Sequence, residues 1–118
     1  MAFRFESLEI WKEAINFSSS TYKITRQFPK EELFSLSSQL NRAAISISAN
    51  IAEGSASDSV KEFRMFLNIS IRSGVEVISE LFIAKERSYL SDEEFGELYN
   101  TGELLIRRIS SFRNQLKL

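Results

Sequence analysis

Residues 37–54 read SSQLNRAAISISANIAEG, and this stretch decides the fold. Leu40, Ala44, Ile47 and Ile51 recur every three or four positions, which is typical of a helix with one apolar face. Most of the remaining side chains are small or carry amides. Small side chains allow another helix to approach closely, whereas polar groups at such a contact need partners. The stretch therefore predicts a packing and assembly element rather than an active site.

Composition indicates one globular domain over residues 1–118, with 43% hydrophobic and 26% charged residues. A net charge of −1 provides no overall basic field that would attract nucleic acid. Cysteine and histidine are absent, which excludes disulfides and thiol nucleophiles and removes the commonest general base. Because no apolar run approaches the ~20 residues of a membrane helix and no signal peptide is evident, we expect a cytoplasmic protein.

Hydrophobic periodicity predicts an all-α protein with four amphipathic helices, at about residues 7–27, 34–53, 60–88 and 92–116. Capping boxes at Ser59–Glu62 and Ser91–Glu94 mark the starts of the last two helices. Gly54 fits the left-handed residue that commonly ends a helix, here the second. Gly74 lies within the third helix and predicts a close helix crossing. Short links between amphipathic helices favour an antiparallel up-down-up-down four-helix bundle.

Some apolar side chains exceed what a single bundle can bury. The apolar arc of the first helix covers roughly 200°, which requires a second neighbour beyond the core. The third helix carries apolar residues on a face that should be solvated. An oligomer would cover such residues, whereas a monomer would leave them exposed. The predicted subunit interface therefore contains Trp11, Phe17, Met65, Ile69 and Ile83.

A polar stripe follows one flank of the second helix. It contains Gln39, Arg42, Ser46, Asn50 and Glu53, and Gly54 closes the helix. We expect Asn50 to join helices by hydrogen bonds and Glu53 to pair with a basic group on another helix or chain. The alternative is a ligand-binding site at the end of this helix.

The end of the fourth helix is basic, with Arg107, Arg108, Arg113 and Lys117. These side chains could contact phosphates, which defines the alternative function of a direct RNA- or DNA-binding module. Cations at a helix C-terminus also complement the helix dipole and favour solubility. The stacking aromatics that would strengthen a nucleic-acid site are not interleaved with them.

Reaction chemistry is not indicated anywhere in the chain. Glu76 and Glu80 share a helix face with Arg72, and we expect that face to be solvated. A di-iron bundle would need histidines, and a phosphate loop would need a glycine-rich turn. We therefore predict no catalytic residue, no metal and no cofactor, and expect that the protein is not an enzyme.

The chain resembles the four-helix-bundle proteins encoded within intervening sequences of bacterial 23S ribosomal RNA genes. The likeness covers nearly the whole chain, and its most specific part is Asn50–Gly54 followed by Lys61-Glu62-Phe63. The remaining matching pieces are Leu8-Glu9-Ile10-Trp11, Phe28-Pro29 with Glu32, Leu36, Ser38-Gln39-Leu40, Arg42-Ala43-Ala44, Ser46-Ile47, Phe66-Leu67, Glu76, Glu80-Leu81 and Tyr89-Leu90-Ser91.

The resemblance implies a small helical bundle that assembles as a homopentamer. A related accessory protein of diversity-generating retroelements is similar in fold, pentameric and basic, and works with a reverse transcriptase and nucleic acid. We therefore expect an oligomeric, non-enzymatic scaffold in an RNA- or nucleoprotein-associated setting. Its expected partners are copies of itself, with RNA or a nucleic-acid-processing protein as a further candidate, and no membrane.

Overall fold

The computed structural model describes residues 2–117, which form an antiparallel bundle of α-helices about 45 Å long and 22 Å wide. Each helix contacts the next along the chain, and the first also contacts the last, which gives the predicted up-down-up-down arrangement. None of these helices combines the length and apolar character needed to cross a membrane. The helices are α1 (Glu9–Thr25), α2 (Leu36–Ser55), α3 (Val60–Glu86) and α4 (Asp92–Gln115).

The predicted boundaries agree with these helices to within about two residues, and the differences have local causes. The first helix, predicted from about residue 7, begins at Glu9, because residues Arg4–Ser7 form a 3-10 turn instead. A second 3-10 turn, Lys30–Glu32, occupies the link between α1 and α2. Ser91 and Glu94 form the predicted reciprocal capping box at the start of α4, with bonds of 2.8 and 3.1 Å.

The core consists of the apolar stripes that periodicity identifies on each helix. On α2 every predicted core residue is buried, because positions spaced by three and four share one side of a helix. The largest fully buried side chains come from all four helices and are Phe17, Phe63, Leu40, Ile47, Ile51, Leu67, Leu81, Ile109 and Val77.

Phe17 was expected at a subunit interface, and that prediction is wrong. Its side chain is only 1% exposed and packs in the core of its own subunit. The apolar arc of α1 divides into two parts. The stripe with Ile10, Ala14 and Phe17 faces the core, whereas Tyr22, on the neighbouring stripe, stays 58% exposed. The apolar arc of α1 is therefore wider than the part that the core covers, but Phe17 does not belong to the uncovered part.

Gly54 does not end α2 in a left-handed conformation, so that prediction is also wrong. It lies inside the helix, and among the described residues no glycine has a positive φ. A Cβ at this position would lie 2.7 Å from the Cβ of Phe66 and 2.8 Å from Cδ1 of Phe63. Gly54 therefore allows α3 to pack directly on the end of α2. Gly74 has the predicted role, because a Cβ there would lie 2.8 Å from Cγ1 of Ile106 on α4.

The left-handed helix end occurs at Ser88 instead, with φ 60°. The Tyr89 amide donates to the carbonyl of Ala84 at 2.9 Å, and the Ser88 amide donates to the carbonyl of Lys85 at 3.0 Å. This pair of bonds is the Schellman arrangement that closes a helix. α3 therefore ends with a non-glycine residue in a conformation that L-residues adopt at some cost.

A buried carboxylate ties the two links at one end of the bundle together. Glu32, from the α1–α2 link, accepts hydrogen bonds from the Tyr89 hydroxyl at 2.6 Å and from the Arg87 guanidinium at 3.1 Å. Its second oxygen faces the amide of Leu36 at 3.4 Å, at the start of α2. The Tyr89 hydrogen bond is the main cause that lowers the pKa of Glu32 below its usual value of 4.5.

Replacing Ser88 with glycine should stabilise the protein. Glycine adopts a positive φ without the steric penalty that serine pays, although it also loses more chain entropy on folding. We expect Ser88→Gly to raise the free energy of unfolding, measured in urea, by about 0.5–1 kcal/mol. An unchanged or lower value would show that Ser88 bears no strain.

Alanine at Gly54 should destabilise the fold. The new methyl group would overlap Phe63 and Phe66, and such overpacking typically costs about 1–3 kcal/mol. Gly96 on α4 is the matched control, because a Cβ there meets no atom within 4 Å. Gly96→Ala should instead stabilise the protein by about 0.5–1 kcal/mol through helix propensity. Equal effects of the two substitutions in thermal unfolding would contradict this assignment.

Glu32 should make stability depend on acidic pH. Because its folded pKa is lowered, its contribution is present above pH 4.5 and is lost as the pH falls through the folded pKa. Glu32→Gln should therefore be less stable than the parent at pH 7, and the difference should shrink towards pH 3. Glu31→Gln, at the exposed neighbouring position, is the control that should keep the parent pH profile.

Candidate functional site

The outward side of α2 is unusual for a solvent-facing helix surface. Arg42 and Glu53 are the only charged residues between Leu36 and Ser55. The other exposed or half-exposed side chains are amides, serines, alanines and one isoleucine. We call this set the α2 surface; it comprises Ser38, Gln39, Asn41, Arg42, Ile45, Ser46, Ala49, Asn50, Ala52 and Glu53.

An exposed apolar strip borders the α2 surface on the α1 side. Ile15 and Tyr22 on α1 and Ile45 on α2 are all exposed large side chains. Tyr22 and Ile45 line an open groove between the two helices, together with Arg26. This strip is the part of the wide α1 arc that the core leaves uncovered.

Further exposed apolar side chains lie on the solvent-facing side of α3. Met65, Ile69 and Ile83 are exposed, as sequence periodicity predicted, and Met65 is the most exposed of the three at 51%. Their role in a subunit interface stays a prediction. Trp11 differs from them, because it is half-buried and its ring lies 4.8 Å from the ring of Phe5 in the N-terminal turn.

Hydrogen bonds join α2 to α3 along one line of polar contacts, which we call the α2–α3 seam. The hydroxyls of Ser46 and Ser73 are bonded to each other at 2.8 Å, and the Ser70 hydroxyl donates to the carbonyl of Ile47 at 2.9 Å. Asn50 donates to the carbonyl of Ser46 at 2.8 Å and to its hydroxyl at 3.0 Å. Both bonds of Asn50 stay within α2, so the prediction that Asn50 joins two helices is wrong for the described residues; Ser46 and Ser70 make the bonds between α2 and α3.

The other members of the predicted polar stripe point outward. Gln39, Arg42 and Glu53 are exposed. Within residues 2–117 the ion pairs involve other residues, so neither Arg42 nor Glu53 has a charged partner in its own subunit. The predicted basic partner of Glu53 on another helix is therefore not found within this part of the chain, and a partner on another chain stays a prediction.

Glu80 was expected on a solvated face, and that prediction is wrong. The residue is only 7% exposed, and in the described part of the chain its Oε1 is the one buried side-chain polar atom without a hydrogen-bond partner. Burial first, and then the adjacent carboxyl of Glu76, raise the pKa of Glu80 to about 7. Glu76 itself is exposed. Sequence reasoning missed this site, although the spacing of seven residues from Ser73 places Glu80 on the row that faces α2.

The basic end of α4 is largely occupied by partners in the same subunit. Arg107 donates to Glu103 at 2.8 Å, Arg108 pairs with Glu13 on α1, and Arg113 donates to Asn68 on α3 at 2.9 Å. Lys117 is exposed. The three arginines face partners on three different helices, so the fold does not gather them into one open basic patch.

An aromatic cluster on the α3–α4 side was not anticipated from the sequence. Phe82, Phe95 and Tyr99 have ring centroids 4.8–6.1 Å apart, and Phe82 and Tyr99 are exposed. Val75, about two helical turns from Phe82 on α3, extends this apolar area and lines a groove with Tyr99. Because α1–α2 and α3–α4 are opposite pairs in the bundle, the cluster lies across the subunit from the Tyr22–Ile45 strip. In the part of the chain that the structure describes, no group of three or more acidic residues could hold a metal.

Comparison with known proteins identifies a similar fold and a family. The fold is similar to the crystal structure, at 1.70 Å, of a protein with unknown function from the S23 ribosomal protein family of Bacteroides thetaiotaomicron VPI-5482. The TM-score is 0.83 at 20% sequence identity, covering 90% of this chain and 99% of that one, so the likeness concerns the fold alone. No curated protein matches the chain significantly. The model of the 23S rRNA-intervening sequence proteins matches residues 6–111, and the chain therefore belongs to that family.

Proposed function

We propose that the protein is a cytoplasmic, non-enzymatic scaffold that assembles into a homopentamer through its α2 surface, in an RNA- or nucleoprotein-associated setting. One observation carries this proposal. The α2 surface presents small, amide and apolar side chains with only two charges, and the exposed Tyr22–Ile45 strip borders it on the α1 side.

Exposure of such a surface to water is thermodynamically unfavourable. Burying apolar area contributes roughly 25 cal/mol per Å², and monomeric proteins seldom expose contiguous apolar patches. Alanine and serine also allow another backbone to approach closely and add little side-chain entropy cost. A second copy that covers the α2 surface would also cover Tyr22 and Ile45, which are exposed in the single subunit and line one groove.

The position of the aromatic cluster supports a ring. A two-fold dimer uses the same patch on both subunits and would leave the apolar area on the opposite side uncovered. A head-to-tail contact joins two different patches and covers both. Head-to-tail contacts close into rings when the rotation permits. The Phe82–Tyr99 cluster and the α2 side of the bundle fit this requirement, in keeping with the pentamer that the resemblance implies.

The proposed association with RNA is supported by membership of the family and not by a basic surface of this chain. Arg107, Arg108 and Arg113 have partners in their own subunit, and the net charge is −1. Direct binding of nucleic acid through the end of α4 is therefore the less favoured function. A scaffold that brings other components together needs no such patch.

A charged side chain in the middle of the α2 surface should prevent assembly. Ala49 is exposed, so Ala49→Arg should leave the helical fold intact while placing a desolvated charge at the contact. Multi-angle light scattering at micromolar concentration should give the parent protein a mass near five times 13.6 kDa and the variant a mass near 13.6 kDa.

Ser20→Arg provides the matched control, since Ser20 is an exposed position in the groove between α1 and α4, away from both the α2 surface and the Phe82–Tyr99 cluster. It should assemble like the parent. Circular dichroism of all three proteins should show the same helix content. A parent protein that is monomeric, or an Ala49→Arg variant that keeps the parent mass, would rule out assembly through α2.

A further inference from the structure

We infer that Arg26 of one copy pairs with Glu86 of the next, beside a contact in which Tyr22 packs on the exposed rings of Phe82 and Tyr99. The inference rests on the proposed head-to-tail assembly and names the side chains that join its two different surfaces. The occupant of the open groove between α1 and α2 is therefore a second copy of this chain.

The groove between α1 and α2 combines apolar side chains with positive charge. Tyr22 and Ile45 line it, and each is more than half exposed. Lys23 and Arg26 line it as well and are exposed, whereas no acidic residue in the described part of the chain does so. Arg26 makes no ion pair within residues 2–117, and its guanidinium lies 6.0 Å from the centre of the Tyr22 ring. The groove therefore suits an apolar partner that brings negative charge.

The aromatic cluster on the α3–α4 side has the complementary character. Its rings of Phe82 and Tyr99 are exposed. Glu86 follows Phe82 by four residues on α3, so the two side chains are neighbours on one face of the helix, and Glu86 is exposed. This side of the bundle thus offers exposed rings with a carboxylate one helical turn away.

The basic neighbours of Glu86 in the chain are both engaged within their own subunit. Lys85 lies over the ring of Phe95, 4.6 Å from its centre. Arg87 donates to Glu32 at 3.1 Å. Glu86 makes no ion pair with any residue that the structure describes. Its negative charge is therefore available to a second copy.

The two surfaces lie at the same height along the bundle. A Cβ at Gly102 would lie 2.9 Å from both Cζ of Phe17 on α1 and Cδ1 of Ile78 on α3, so these two side chains reach one level. α1 and α3 run in the same direction, because each is antiparallel to α2. Tyr22 lies five residues beyond Phe17, and Phe82 lies four beyond Ile78, which is a rise of about 7.5 Å and about 6 Å at 1.5 Å per residue.

The charged residues share a level for the same reason. Arg26 follows Tyr22 by four residues, and Glu86 follows Phe82 by four. Cyclic symmetry rotates each subunit onto the next without displacing it along the ring axis. When the subunits stand along that axis, a head-to-tail contact joins side chains of equal height. Tyr22 then meets Phe82, and Arg26 meets Glu86 one helical turn further on.

Such a pair determines which surfaces meet and in what register. Complementary charges at an interface suppress wrong pairings, because a shifted contact brings like charges together. The planar guanidinium of Arg26 can also bind a carboxylate while it remains stacked on an aromatic ring. Coverage by the neighbouring rings removes water from the pair and so strengthens it relative to a fully exposed ion pair.

Reversal of the two charges tests this pairing in the full chain. Arg26→Glu and Glu86→Arg each place like charges at the contact. Each should raise the concentration at which half of the chains are assembled about tenfold or more, measured by analytical ultracentrifugation at pH 7 and low salt. The variant with both substitutions restores opposite charges and should assemble within about threefold of the parent.

Lys61→Glu is the matched control for charge reversal, because Lys61 is exposed at the start of α3, outside both surfaces. It should assemble like the parent. Circular dichroism should give all variants the helix content of the parent, and rescue by the double substitution further excludes a folding defect as the cause of weakened assembly.

The outcomes separate the two proposals. A parent protein that stays monomeric refutes the proposed assembly itself. A parent that assembles, with single reversals that leave assembly unchanged, keeps the assembly and overturns this pairing. Single reversals that weaken assembly without rescue in the double variant overturn the pairing as well, because they show that the two side chains do not face each other.

Discussion

The close approach of α2 to α3 is the constraint on which the rest of the structure depends. Gly54 leaves room for Phe63 and Phe66, and the Ser46–Ser73 hydrogen bond holds the two helices further along. These contacts require small side chains on α2. Small side chains on one side of a helix are common, but here they continue around its outer side. The small side chains that allow α2 and α3 to pack closely therefore also leave the solvent-facing side of α2 with few charged residues.

That composition links packing to assembly. A helix covered on one side by α1 and α3 and nearly uncharged on the other resembles the interior element of a larger structure. Family membership, carried by residues 6–111, supports the fold and does not itself state which surface meets a neighbour.

Sequence reasoning anticipated most of the fold because periodicity and capping act locally. The helix boundaries, the core stripe of α2 and the Ser91–Glu94 cap all follow from residues a few positions apart. The errors at Phe17, Gly54 and Glu80 have one cause. Each of these three predictions depends on which neighbouring helix packs against a given side of the helix. The periodicity of a single helix does not identify that neighbour. The apolar arc of α1 showed excess width without showing which of its stripes would be buried.

By itself, then, the sequence determined four amphipathic helices, their order and the excess of apolar surface, because these follow from spacing along a chain with a fixed helical repeat. Only the tertiary structure decided that Glu32 meets Tyr89, that Arg108 and Arg113 of α4 have partners on other helices and that, within residues 2–117, Oε1 of Glu80 lacks one. Those contacts join residues far apart in the chain. Their energies depend on burial, and burial exists only after the helices have packed.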